Sequence, residues 1–280
     1  MLIDTHCHLD ASEFDADRDQ VLARAFAAGV DAIVVPAVAT SNHEAVRALA
    51  AADRRIAYAL GIHPLFVGQA DDDELEQLRA RVDASMRDER FVAIGEIGLD
   101  FFVQGADRQR QQRFLAAQLR IARDFDLPVL LHVRRAHDLV LAQLRQLRPL
   151  TGIAHAFNAS AQQAAQYLAL GFALGFGGAM TYDRALRIRR LALELPEHAH
   201  VLETDAPDIA PEWIAHSRNE PAQVARIADA FAGLRATPRD RAIAQTSANA
   251  LRVLPRLAAA IAAPGEMKPD SRERGLHRSS

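Results

Sequence analysis

Short apolar runs alternate along this chain with longer segments whose apolar positions recur every three or four residues. The short runs read as buried strands: Leu2 to His6, Ala32 to Val38, Ile56 to Ile62, Phe91 to Gly95, Pro128 to Val133, Gly152 to Ala156, Phe172 to Phe176 and His200 to Thr204. The segments between them, such as "DRDQVLARAFAAG" and "DRQRQQRFLAAQLRIARDF", have the period of amphipathic helices. Gly29 follows one such helix, Pro128 opens the strand after another, and Ser41 is placed to cap a third. Eight strands separated by helices predict βα units of the α/β class. Eight such units predict a closed (β/α)8 TIM barrel. A doubly wound open sheet is the rival, because periodicity does not report closure.

Two more helical segments follow the last strand, around Ala222 to Phe231 and Pro238 to Leu254. Residues 1–263 are therefore expected to form one domain with extra C-terminal helices. Residues 264–280 are polar, contain Pro and Gly, lack apolar periodicity and are expected to be disordered.

The polar residues that end the apolar runs carry the candidate chemistry. In "DTHCHLD", His6 and His8 are two apart on one strand face, with Cys7 facing the helix layer as a small buried hydrophobe. Glu96 ends "VAIGE", His132 ends "PVLLH", His155 ends "GIAH" and Asp205 ends "HVLETD". The intervals from His8 onward are 88, 36, 23 and 50 residues. At roughly 30 residues per βα unit, these put the residues on strands 1, 4, 5, 6 and 8. All would then project at the C-terminal mouth of the barrel. Four histidines and two carboxylates converging there fit two divalent cations, with Glu96 bridging and Asp205 holding a water. Such a water becomes a nucleophile near neutral pH, and Asp205 is placed to act as general base.

Composition narrows this reading. The formal net charge is −3, so a polyanionic substrate needs local cations at the site. The single cysteine rules out an intrachain disulfide and fits a reducing compartment. No basic segment with an apolar stretch and cleavage site opens the chain, and no run of about 18 apolar residues occurs. A cytoplasmic protein without membrane attachment is expected, with no obligate protein partner evident and monomeric. Lys268, in the tail, is the only lysine, so cationic side chains elsewhere are arginines or protonated histidines. A Schiff-base lysine is thereby excluded from the barrel.

Together "DTHCHLD", "GIHP", "GEIGLD", "LPVLLHVRRA", "ETDAP" and "RNEP" resemble the TatD family of metal-dependent deoxyribonucleases, within the amidohydrolase-type barrels. The resemblance spans about Met1 to Pro255. It implies a divalent-metal phosphodiesterase with His6, His8, Glu96, His132, His155 and Asp205 as metal ligands. It also implies action on DNA, often as a 3′-to-5′ exonuclease preferring single strands. Some relatives on this barrel bridge their metals with a carbamylated lysine; Glu96 stands at that point here. Where the family often has Phe-Ser-Gly beyond the sixth-strand histidine, this chain runs Phe157, Asn158, Ala159, Ser160.

Arg134 and Arg135, directly after the His132 strand, and Arg108 are candidate phosphate contacts. His63 in "GIHP" is either a substrate contact or a structural histidine at the Pro64 turn, and is not needed as a ligand. Glu203, on the same face as Asp205, is either a partner of a ligand histidine or a layer residue inside the barrel. Phe101 and Phe102 are expected in the core rather than stacked on a base. Mixed His/carboxylate sites accept Mg²⁺, Mn²⁺ or Zn²⁺ alike. A hydrolase of a small ester, amide or lactone on the same barrel is the alternative. A non-catalytic nucleic-acid scaffold fits less well, since all six ligand positions are intact and no basic stripe supports binding alone.

Overall fold

Each apolar run becomes a strand, and the eight strands lie side by side in sequence order: β1 (Ile3–Asp4), β2 (Ala32–Pro36), β3 (Ile56–Leu60), β4 (Phe91–Asp100), β5 (Val129–Arg134), β6 (Gly152–Ala154), β7 (Ala173–Phe176) and β8 (His200–Leu202). Every neighbouring pair is parallel. The last strand meets the first through Thr5 N donating to Leu202 O at 3.0 Å and Asp205 N donating to His6 O at 2.9 Å. A Cys7–Ala206 bridge continues that seam. This is a TIM barrel, and the open-sheet rival is excluded by those contacts. The computed structural model describes residues 1–71 and 73–262, so the stretch 264–280 expected to be disordered lies outside the described residues.

The helices are α1 (Arg18–Ala27), α2 (His43–Ala52), α3 (Glu74–Ser85), α4 (Arg108–Asp124), α5 (His137–Gln146), α6 (Ala161–Ala169), α7 (Leu186–Glu194), α8 (Val224–Leu234), α9 (Arg239–Val253) and α10 (Leu257–Ile261). The inner face of the barrel is lined by small and branched residues, including Ala32, Val34, Ala57, Ala59 and Ala173. Side chains of α9 and α10, among them Val253, Leu254 and Leu257, pack against that same cluster. The outer strand faces and the surrounding helices share the larger core, where Cys7 sits fully buried with Leu9 and Phe14.

β4 departs from its expected bounds. It runs on through Glu96 to Asp100, with a register irregularity between Ile94 and Ile97 against β5. Gly98 makes the extension possible: it pairs with His132, and a Cβ there would fall 1.8 Å from the His132 carbonyl oxygen. β1, β2, β3, β6 and β8 each end two residues before the expected bound, so His6, His155 and Asp205 lie just beyond their strands.

Candidate active site

His6, His8, Glu96, His132, His155 and Asp205 all meet at the C-terminal mouth, on the wall of a cavity of about 1070 Å³ or directly beneath it. Glu96, almost wholly buried on β4, divides them between its two oxygens. Its Oε2 lies 3.2 Å from His6 Nε2 and 3.3 Å from His8 Nε2. Its Oε1 lies 2.8 Å from His155 Nε2 and 3.0 Å from His132 Nδ1. Asp205 Oδ1 stands 3.6 Å from the Nε2 atoms of both His6 and His8. Backbone bonds fix this spacing: Glu96 N donates to Ala37 O, His155 N to Leu131 O and His8 N to Ala206 O.

The donor set suits divalent cations. His6 and His8 turn ring nitrogens to within 3.2 Å of each other, with carboxylate oxygens on both sides. Three groups, His6–His8–Glu96, His6–His155–Asp205 and His63–Glu96–His132, each bring ligand atoms within 4.8 Å of one another. The carboxylates call for positive charge at this point. Burial opposes charge on His8 and His155, yet Glu96 and Asp205 raise them to about 9 and about 10. Burial would raise Glu96, but the surrounding histidines hold it well below the carboxylate range. A divalent cation satisfies the same demand by displacing those protons.

Two carboxylates around the cluster were not singled out from the sequence. Asp100 ends β4 on the same face as Glu96, and its Oδ2 lies 3.1 Å from His132 Nε2. A carboxylate four residues beyond Glu96, an even spacing on one strand, was the available signal. Asp4, two residues before His6, accepts from the Thr204 hydroxyl at 2.6 Å and ties β1 to the chain beyond β8. Burial pushes Asp4 up to about 7.

His63 lies closer to the cluster than expected, with Nε2 3.5 Å from Glu96 Oε1. Its Nδ1 accepts from Leu65 N at 3.2 Å. In the neutral ring the proton therefore sits on Nε2 and points into the site. Glu203 lies behind His155: its Oε1 accepts from Ala156 N at 2.5 Å and stands 3.9 Å from His155 Nδ1. Burial raises Glu203 to about 8.

Arg134 and Arg135 line the cavity, their guanidinium carbons 4.1 and 4.6 Å from the centre of the Phe102 ring. Phe102 corrects the core expectation: it is 48% exposed and lines the same cavity, with its backbone N–H tied to the buried Asp100 carboxylate and its ring left facing outward. Phe101 does pack against the core. Arg108 stands apart from Arg134 and Arg135. At the first position of α4, it lies over the Phe101 ring at 4.8 Å and is not among the residues lining the cavity. No helix among the described residues is long and apolar enough to cross a membrane.

A parallel barrel with a histidine–carboxylate cluster at its C-terminal mouth defines the class of metal-dependent barrel hydrolases. Within that class the chain belongs to the TatD related DNase family, which it matches over residues 3–255. It is 42% identical over 248 residues to the uncharacterized metal-dependent hydrolase YjjV of Escherichia coli K12, covering 88% of this chain and 95% of that protein. The crystal structure of YjjV superposes with a TM-score of 0.86 at 38% identity, over 91% of this chain and 98% of that one. A Cronobacter turicensis protein named 3′-5′ ssDNA/RNA exonuclease TatD is 36% identical over 264 residues, covering 90% of this chain and 97% of its own length.

Proposed function

We propose that this hydrolase cleaves phosphodiester bonds in nucleic acid, acting as a 3′-to-5′ exonuclease on single-stranded DNA. The observation that carries the reading is the Glu96 carboxylate, with His6 and His8 on one oxygen and His132 and His155 on the other. One divalent ion would be held by His6, His8, Asp205 and Glu96 Oε2, and a second by His132, His155 and Glu96 Oε1. When bound, Mg²⁺, Mn²⁺ or Zn²⁺ would supply Lewis acidity and a water of lowered pKa.

The chain's own residues do the rest. Asp205, 13% exposed at the edge of the cluster, takes the proton of the attacking water as general base. Glu96 keeps both halves in one register. His63 donates its Nε2 proton to a phosphate oxygen, and Glu203 holds the loop at Ala156 that carries His155. Arg134 and Arg135 grip phosphate oxygens in a protein whose net charge of −3 gives no general attraction to a polyanion. The exposed Phe102 ring beside them offers a face to an unpaired base. The relative named as an exonuclease on single strands supports this substrate class. We place the enzyme in the cytoplasm, working as a monomer with residues 1–263 as its catalytic unit.

The test is nucleotide release from a 3′-labelled single-stranded DNA oligonucleotide by metal-stripped protein, with Mg²⁺, Mn²⁺ and Zn²⁺ restored separately. Release is expected to depend on metal and to fall by about 10²- to 10⁴-fold in Asp205→Asn. No release with any metal would sink the nuclease reading and direct the search to a small ester, amide or lactone.

A further inference from the structure

The wall of the active-site cavity opens on the side of the loops that follow β6, β7 and β8. A second groove of about 700 Å³ begins there, and Asn158, Ala179, Arg187, Ile188 and Ile209 line both spaces. It continues outward over Tyr182, Arg184, Leu186 and His216. This volume lies within the roughly 300–1,000 Å³ typical of small-molecule sites.

The floor of the groove is built rather than left over. The turn Gly178–Thr181 is pressed so closely onto the following loop that a Cβ on Gly178 would fall 2.1 Å from Ile209 O. The Tyr182 hydroxyl donates to Ala210 O at 3.0 Å, and Glu212 N donates to Thr181 Oγ1 at 2.8 Å. Arg189 Nη1 reaches back to Met180 O at 3.2 Å. The bonds to Ala210 and Glu212 join the loops after β7 and β8 into one preformed surface, and the Arg189 bond ties α7 to it.

Its chemistry is two-sided. Leu186 is 72% exposed and Ile209 37%, so apolar surface faces solvent beside the site. Arg184, Arg187 and His216 stand around it, and among the described residues no carboxylate lines the groove. Arg187 is aimed: its Nε and Nη2 both donate to Asn158 Oδ1, at 3.0 and 2.6 Å. That uses one edge of the guanidinium and holds the group where the two spaces meet. Asn158 belongs to the loop that departs from the Phe-Ser-Gly pattern, so the departure supplies the anchor for this arginine.

We infer that this groove is a subsite for the nucleotide adjoining the scissile phosphodiester, on the side of the strand that continues into solvent. The inference rests on the phosphodiesterase reading. The base lies against Leu186, Ile209 and Tyr182, and the next phosphate is taken by Arg187 and Arg184. A nucleotide carries an apolar ring face and an anion close together, and the groove offers a partner to each. A base seated there is out of its helical stack, so the subsite selects unpaired strands.

The test compares wild type with Arg184→Glu and Leu186→Glu on two substrates. One is the 3′-labelled single-stranded oligonucleotide; the other is bis(p-nitrophenyl) phosphate, a diester without a flanking nucleotide. Leu193→Glu, about 10 Å further along α7, puts the same charge outside the groove. The ratio of kcat/KM for oligonucleotide to that for the small diester is expected to fall about tenfold in each groove variant. The fall should come mainly through KM, with the ratio in Leu193→Glu unchanged. An unchanged ratio in the groove variants, or turnover of the small diester alone by wild type, overturns the subsite. No metal-dependent hydrolysis of either substrate by wild type overturns the phosphodiesterase reading, and the subsite with it.

Discussion

Asp100 accepts the amide protons of Phe102 and Val103 on Oδ1, at 2.8 and 3.3 Å, while Oδ2 faces His132 Nε2. Burial opposes its charge, but His132 and those amides hold it down at about 2. The carboxylate therefore takes the His132 Nε2 proton as a hydrogen bond and leaves the Nδ1 lone pair facing Glu96 and the cluster. Partners of this kind orient a ligand ring and raise its basicity. Asp100→Asn is expected to weaken metal affinity by about 10- to 100-fold, with most turnover recovered at saturating metal. A metal titration of activity measures this. An affinity equal to wild type would show that Asp100 does not position His132.

Between elements, the position of His132 depends on how closely β4 and β5 approach. Gly98 sits opposite His132 in register at φ +156°, and any side chain there meets the His132 carbonyl. Gly98→Ala must push the strands apart or shift the register. An expected loss of about 1–3 kcal/mol follows from overpacking of this kind, read as a lower urea midpoint. Turnover of the remaining folded protein should fall as well, because Glu96 and His132 no longer share one geometry. Wild-type stability in Gly98→Ala would show that the strands have room to spare. α4 supports the same region from outside: Gln118 exchanges hydrogen bonds with the backbone of Ile62, and Gln111 accepts from Asp100 N. These two polar residues, seven apart on a buried helix face, hold the exits of β3 and β4.

Across the whole molecule, two buried histidines away from the metal cluster make part of the stability sensitive to acid. His43 packs beneath β3 with Nε2 3.1 Å from Gly61 O, and His200 lies between the rings of Phe176 and Phe231. Burial lowers each from 6.5 to about 4. The unfolded chain therefore binds protons at these residues below about pH 6.5 that the folded protein refuses until about pH 4. The contribution of these two residues to stability is expected to fall as pH drops through that window and to level off below it, whereas Asp4 and Glu203, raised by burial, contribute in the opposite sense. Urea midpoints measured from pH 7 to 4 isolate that contribution: wild type should lose stability relative to His43→Gln/His200→Gln as pH falls. An equal slope in the double variant would assign the acid sensitivity to other groups.

What the sequence determined by itself was the set of strands, their order and the polar residues that close the apolar runs. Apolar runs bounded by His, Glu and Asp are local features, and a strand's two-residue period carries them directly to one face. That is why His6, His8, Glu96, His132, His155 and Asp205 were readable before any fold. Strand bounds were less readable: whether β4 stops at Gly95 or runs to Asp100 depends on what β5 offers beside it. Only the tertiary structure decided which Glu96 oxygen faces which histidines, that His63 and Asp100 stand against the cluster, and that Phe102 opens to the cavity. It also decided the groove, where Asn158 meets Arg187 and Tyr182 meets Ala210 across 29 and 28 residues of chain. Contacts of that kind exist only once β6, β7 and β8 lie side by side, because their pairing brings the loops that follow separate strands to one mouth.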